Sequence, residues 1–105
     1  MGKTQRYKVI VSDRARLMLA AHVKFMAQAS PPAARKVKGD IMAAIRSLRE
    51  FPDRHEFLND EHIPKNKYHK MFVEKWYLIL YQIQDDTVYV EYIIDGRQDY
   101  GWLIR

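Results

Sequence analysis

The chain has 105 residues, 48% of them hydrophobic and 30% charged. That suffices for one core burying roughly 65% of the unfolded surface and is too apolar for a disordered segment. Eighteen Lys and Arg against thirteen Asp and Glu leave a net charge of +5, which favours an anionic partner such as RNA, DNA or an acidic protein segment. The chain has no cysteine, which excludes disulfides and thiolate metal sites, and a reducing cytosol is an acceptable home. His22, His55, His62 and His69 lack zinc-site spacing, and no cofactor or metal is implied. No apolar stretch reaches signal-peptide or membrane-span length, so the expectation is a single domain, residues 1–105, in the cytoplasm and without membrane association.

Residues 7–11 are a short β-rich run that meets Ser12-Asp13, either of which can cap a helix. Over residues 14–29, Ala15, Met18, Leu19, His22, Val23, Met26 and Ala29 recur at spacings of three and four, and this periodicity predicts an amphipathic helix whose buried face Phe25 widens. Ser30-Pro31-Pro32 interrupts the pattern, with Ser30 suited to cap a second helix and proline to its first turn. Ala34, Val37, Ile41, Ala44, Ile45 and Leu48 carry that helix toward Phe51-Pro52, where it must stop. The two helices therefore form an antiparallel hairpin.

Residues 52–67 are polar and broken by Pro64, a connection longer than most, with a turn or short strand expected around residues 55–58. Three strands come next, at residues 68–73, 77–84 and 88–94, Asp85-Asp86 making the last turn. Strict alternation puts Val88, Val90, Tyr92 and Ile94 on one face of the last strand and Tyr89, Glu91, Ile93 and Asp95 on the other. The order predicts an α+β fold: an N-terminal strand, a helical hairpin and a three-stranded antiparallel meander in one sheet, with helices on one face and the other left open. Beyond Gly96, Tyr100, Trp102, Leu103 and Ile104 make the tail too apolar to wave in water.

Several pieces together resemble the RelE/ParE superfamily of toxins from type II toxin-antitoxin systems: the opening YKVIVSDRA, the hairpin interrupted by SPPAA, the LREFP closing the second helix, and KYHKMFVEKWYLILYQIQDDTVYVEYIIDGRQDY. The resemblance implies a RelE/ParE-like fold and a growth-inhibiting toxin in a hetero-oligomer with a cognate antitoxin. Its target would be DNA gyrase, as for ParE-like members, or ribosome-bound mRNA, cleaved as RelE-like members do. A degenerate member that keeps only partner binding is a third reading.

Metal-free RNA cleavage needs a base, an acid and positive charge on the phosphate. The resemblance places His69 where RelE-like enzymes carry a basic residue, with Lys70, Arg97 and Tyr100 completing a candidate catalytic set. Lys65, Lys67 and Trp102 are candidate contacts to nucleic acid or target. Each has a plainer explanation, since lysines protect strand edges from aggregation and Arg97 can pair with Asp95 or Asp99. Trp76, Tyr77 and Tyr81 can stack on bases, but strands favour such rings for packing. Arg35, Lys36, Lys38, Arg46 and Arg49 are expected on a solvated helix face. Two departures favour the gyrase-directed or otherwise non-nucleolytic reading: Leu78 stands where many family sequences carry arginine after a strand tyrosine, and Met71 where RelE-like toxins carry a lysine.

Overall fold

The computed structural model describes residues 6–96. Their order is β1 (Lys8–Val11), α1 (Asp13–Ala29), α2 (Pro31–Ser47), a 3-10 turn (Pro52–Arg54), β2 (His69–Val73), β3 (Tyr77–Gln84) and β4 (Thr87–Asp95). The strands form one open sheet in the order β1-β4-β3-β2. β2, β3 and β4 are the antiparallel meander, and β1 joins the far side of β4 in parallel. This is the expected α+β architecture.

Two serines set the helix boundaries. The Ser12 backbone N–H donates to the Val90 carbonyl at 2.9 Å, and its hydroxyl accepts from the Ala15 N–H at 3.0 Å while donating to the Glu91 carbonyl at 3.3 Å. One residue thus ends β1, caps α1 and ties both to β4. Ser30 closes α1 through its N–H to the Met26 carbonyl and opens α2 by accepting from Ala33 at 3.3 Å. A single-residue connection leaves the helices only a hairpin to form.

Ala15, Leu19, Ile41, Ile45 and Leu48 of the helical layer pack on Met71, Val73, Tyr77, Ile79, Tyr81, Val88, Val90 and Ile93 of the sheet. Ile93 in that set departs from strict alternation. Between Leu80 and Tyr81 the register slips, Leu80 facing Tyr92 and Tyr81 facing Val90, so Glu91 is an extra residue in β4. A bulge reverses the facing of every later residue in its strand: Ile93 joins Val88 and Val90 beneath the helices, and Tyr92 and Ile94 turn to the other side.

That other side is not left open. Leu78, Leu80, Tyr92 and Ile94 cluster there with Leu58, Ile63 and Tyr68 of the long connection. The cause lies in β3, whose start, YLILY, is apolar at both parities, so cover on one face alone would leave Leu78 and Leu80 in water. Burying such a side chain is worth about 1.5–3 kcal/mol, enough to hold the connection down. The same connection pairs with the edge of β2, Leu58 N–H donating to the Tyr68 carbonyl at 2.7 Å and Lys70 N–H to the Glu56 carbonyl at 2.9 Å, so where a turn or short strand is expected near residues 55–58 the chain makes a single bridge from Phe57 to His69.

The start of the connection is fixed from within the core. The buried Tyr81 hydroxyl donates to the Pro52 carbonyl at 2.5 Å, and burial holds that phenol protonated well above its usual pKa. Replacing Tyr81 by Phe leaves a buried acceptor unmatched. Urea unfolding of Tyr81→Phe should show a loss of about 1–3 kcal/mol with an unchanged m-value.

Candidate functional site

The sequence candidates gather around the entry to β2, where strand alternation divides them. His69, Met71 and Val73 point to the helical layer, all three buried, while Lys70 and Phe72 point to the other face. His69 lies between two rings, 5.2 Å from Tyr81 at an interplanar angle of 15° and 4.1 Å from Phe57 at 30°. Its Nδ1 is 2.7 Å from the His55 carbonyl. A carbonyl only accepts, so Nδ1 carries the proton. The imidazole named as a catalytic candidate is therefore a packed strut between β2, β3 and the connection. Met71 sits in the same layer, which accounts for an apolar residue there.

His55 completes this cluster, its ring edge-on to Tyr81 at 6.3 Å. Its Nε2 is enclosed and has no hydrogen-bond partner among the described residues. Burial, then the nearby Arg54 charge, then His69, hold its pKa below the ordinary 6.5.

The lysines lie elsewhere. Lys70 is half-buried on the opposite face, with Nζ 3.6 Å from a Glu56 carboxylate oxygen. Lys67 is exposed, its Nζ 5.3 Å from the Tyr68 ring centroid, and Lys65 stands exposed beside Asp60 and Glu61. Tyr68 and Tyr92 meet edge to face at 5.9 Å, with the Arg14 guanidinium 4.7 Å from the Tyr92 centroid. Burial foremost, then the Glu91 charge, raises the Tyr68 pKa. This face thus carries cations laid over tyrosines, and none of them converges on His69. Arg97, Tyr100 and Trp102, with the rest of the apolar tail, lie outside the described residues.

Of the three rings able either to stack on bases or to pack, Tyr77 and Tyr81 are buried and Trp76 is 50% exposed. The backbone at Trp76 is held by Gly96, whose N–H donates to the Trp76 carbonyl. A Cβ at Gly96 would stand 2.6 Å from that oxygen, so only glycine permits the approach. On α2 the basic residues are solvated as expected. Lys36 reaches Asp40 at 2.8 Å and Glu74 at 2.7 Å, tying the helix to the β2–β3 turn; these two carboxylates, Asp40 first, raise its pKa.

Two surface features were not legible as sites. A groove of about 380 Å³ between the helices has an apolar floor of Leu19, Ala20 and Val23, with Arg16, Lys24 and Lys38 around it. Also on α1, Leu17 and Phe25 are 71% and 75% exposed. Periodicity assigns Phe25 to the buried face, but one step from Met26 rotates it by about 100° out of that stripe. The second feature is Phe51. Phe51-Pro52 reads in sequence only as a helix stop, yet Phe51 is 60% exposed and left-handed, at φ 50 and ψ 53.

The described residues combine a β1–helical hairpin–meander order, an added parallel first strand and a connection folded over the sheet's second face. Residues 9–100 match the family described as ParE toxin of type II toxin-antitoxin system, parDE. The chain belongs to this ParE toxin family. A solved chain from the chromosomal ParDE TA system of P. aeruginosa is similar in fold, with a TM-score of 0.71 at 15% identity over 88% of this chain and 98% of that one. Among curated proteins, none matches. The ParE-like reading is therefore favoured over the RelE-like one, and this is a toxin of a type II system. No helix among the described residues is long and apolar enough to cross a membrane.

Leu78, the departure from the family's arginine pattern, is fully buried in the second-face cluster and pairs across the sheet with Phe72 and Ile94. Leu78→Arg should cost several kcal/mol through an unpaired buried charge, read as a lowered Tm with no gain of RNA cleavage. The His55 shift sets a pH dependence. Its folded pKa lies below the unfolded one, so the unfolded state binds more protons as pH falls past about 6.5 and the folded state is penalised. Acidification from 7.5 to 5.5 should lower Tm, and His55→Gln should flatten that slope.

Proposed function

We propose that this toxin arrests growth by binding a protein target, DNA gyrase, inside the cell and that it cleaves no RNA. A cognate antitoxin covers its exposed apolar and basic surfaces until released. The observation that carries this reading is the state of His69, stacked between Phe57 and Tyr81 with Nδ1 committed to the His55 carbonyl. A general base must reach the proton it removes, and this ring is buried, with Lys65, Lys67 and Lys70 directed away from it. Leu78 and Met71 lie in the interior for the same packing reasons, so phosphate-holding charge is missing from both positions.

For the antitoxin, the helical groove is the natural seat. Its apolar floor and three cations fit an amphipathic acidic segment that orders on binding. Lys65, Lys67 and Trp102 enter this reading as contacts to the target and Arg97 as a contact to target or antitoxin, whereas His69, Lys70, Arg97 and Tyr100 are catalytic groups only under the nuclease alternative.

The test separates the two chemistries. Induced in cells, the wild-type chain should stop growth without new transcript ends, and the purified protein should inhibit gyrase supercoiling. His69→Asn keeps a donor near the Nδ1 position but no base. Combined with Arg97→Ala it abolishes RNA cleavage if the nuclease alternative holds, whereas His69→Asn alone should retain at least a third of the wild-type inhibitory potency here. Transcript cutting by wild type, lost in the double variant with the fold intact, would overturn the proposal.

A further inference from the structure

Phe51 occupies a position that neither backbone nor core accounts for. A residue with φ near 50 and ψ near 53 after a helix end is where glycine or asparagine is favoured, because Cβ crowds the backbone in the left-handed region. Here the position carries a large aromatic ring that is 60% exposed. Burial among the described residues does not repay the conformation, so the ring's contact has to be sought beyond them.

The conformation is also over-determined by its surroundings. Arg54 donates through one nitrogen to the carbonyls of Glu50 at 2.6 Å and Phe51 at 3.1 Å, and through the other to the Ser47 hydroxyl at 3.2 Å. On the next residue, Pro52 is buried and its carbonyl accepts the Tyr81 hydroxyl. On the preceding side, Glu50 bridges Arg6 and the Arg49 carbonyl accepts the Tyr7 N–H at 2.9 Å. The ring therefore projects from a backbone pinned on both sides, and little ordering entropy remains to be lost when it is engaged.

We infer that Phe51 is a preformed anchor that inserts into an apolar pocket on the toxin's protein target. Exposed Arg54 bonds the Phe51 carbonyl, exposed Arg49 lies two residues before it and exposed Arg6 pairs with the neighbouring Glu50, so three cations accompany the carboxylates Glu50 and Asp53 and the pocket rim is acidic. The exposed Phe51 ring offers no group that can hydrogen-bond a phosphate, which favours an apolar pocket on a protein surface over a nucleic-acid backbone. A buried aromatic anchor with a charged surround is the usual anatomy of an interaction hot spot. The inference rests on the reading of the chain as a toxin that acts by binding a protein, and it deepens that reading by naming the contact.

The backbone argument gives the test an unusual sign. Phe51→Asn removes the ring and places a residue tolerant of the left-handed region there, so the variant should melt at or above the wild-type temperature. Growth arrest on induction should need at least tenfold more expression, and half-inhibition of supercoiling by purified DNA gyrase at least tenfold more protein. Phe51→Trp should keep most of both activities, and affinity for DNA alone should be the same in all three proteins. If wild type arrests growth but leaves gyrase unaffected, the gyrase assignment fails while the growth assay still decides the role of Phe51. Full toxicity of Phe51→Asn would overturn the inference, as would a lowered melting temperature, loss of DNA affinity with the ring, or a wild type that does not arrest growth.

Discussion

At the centre of the sheet, β3 presents five consecutive buried side chains, residues 77–81. Alternate side chains of a strand leave on opposite faces, so this run obliges the protein to cover the sheet twice. The helical hairpin covers one face with Ala15, Leu19, Ile41, Ile45 and Leu48. The long connection covers the other with Leu58, Ile63 and Tyr68. Nearly every feature that separates this chain from a bare half-covered sheet stems from that second layer.

The connection is anchored by groups that would otherwise be chemical candidates. Tyr81 holds its start through the Pro52 carbonyl, His69 holds the His55 carbonyl, and Lys70 meets Glu56. An imidazole, a phenol and an ammonium are thus taken up in fastening a loop. The surface carries groups of another kind: an apolar groove with cations, the exposed Leu17 and Phe25 of α1, and the ring of Phe51. On the proposed reading those are the means of association.

Much of the architecture is legible in residue order. Ser12, Ser30 and Pro31 bound the helices as expected, although α2 ends at Ser47, short of the Phe51-Pro52 stop, and β3 runs over the expected residues 77–84. The bulge at Glu91 is not, because a bulge arises between strands and a single strand's pattern does not reveal where its partner slips. Nor is the covered second face: Leu58, Ile63 and Tyr68 are scattered through a polar segment with no period. Adjacency in sequence makes His69 and Lys70 look like one cluster, although the alternation of a strand sends neighbours to opposite faces. Phe51 is hidden for a different reason, since its unusual backbone angle is fixed by Arg54, a contact composition cannot disclose.

The extra residue at Glu91 makes β4 two half-strands that obey opposite facing rules while sharing one backbone. Removing a residue there would restore a tidy zigzag and, in the same stroke, evict Ile93 from beneath the helices or Tyr92 and Ile94 from the other layer. What looks like an irregularity is the hinge point that lets one strand serve two separate interiors.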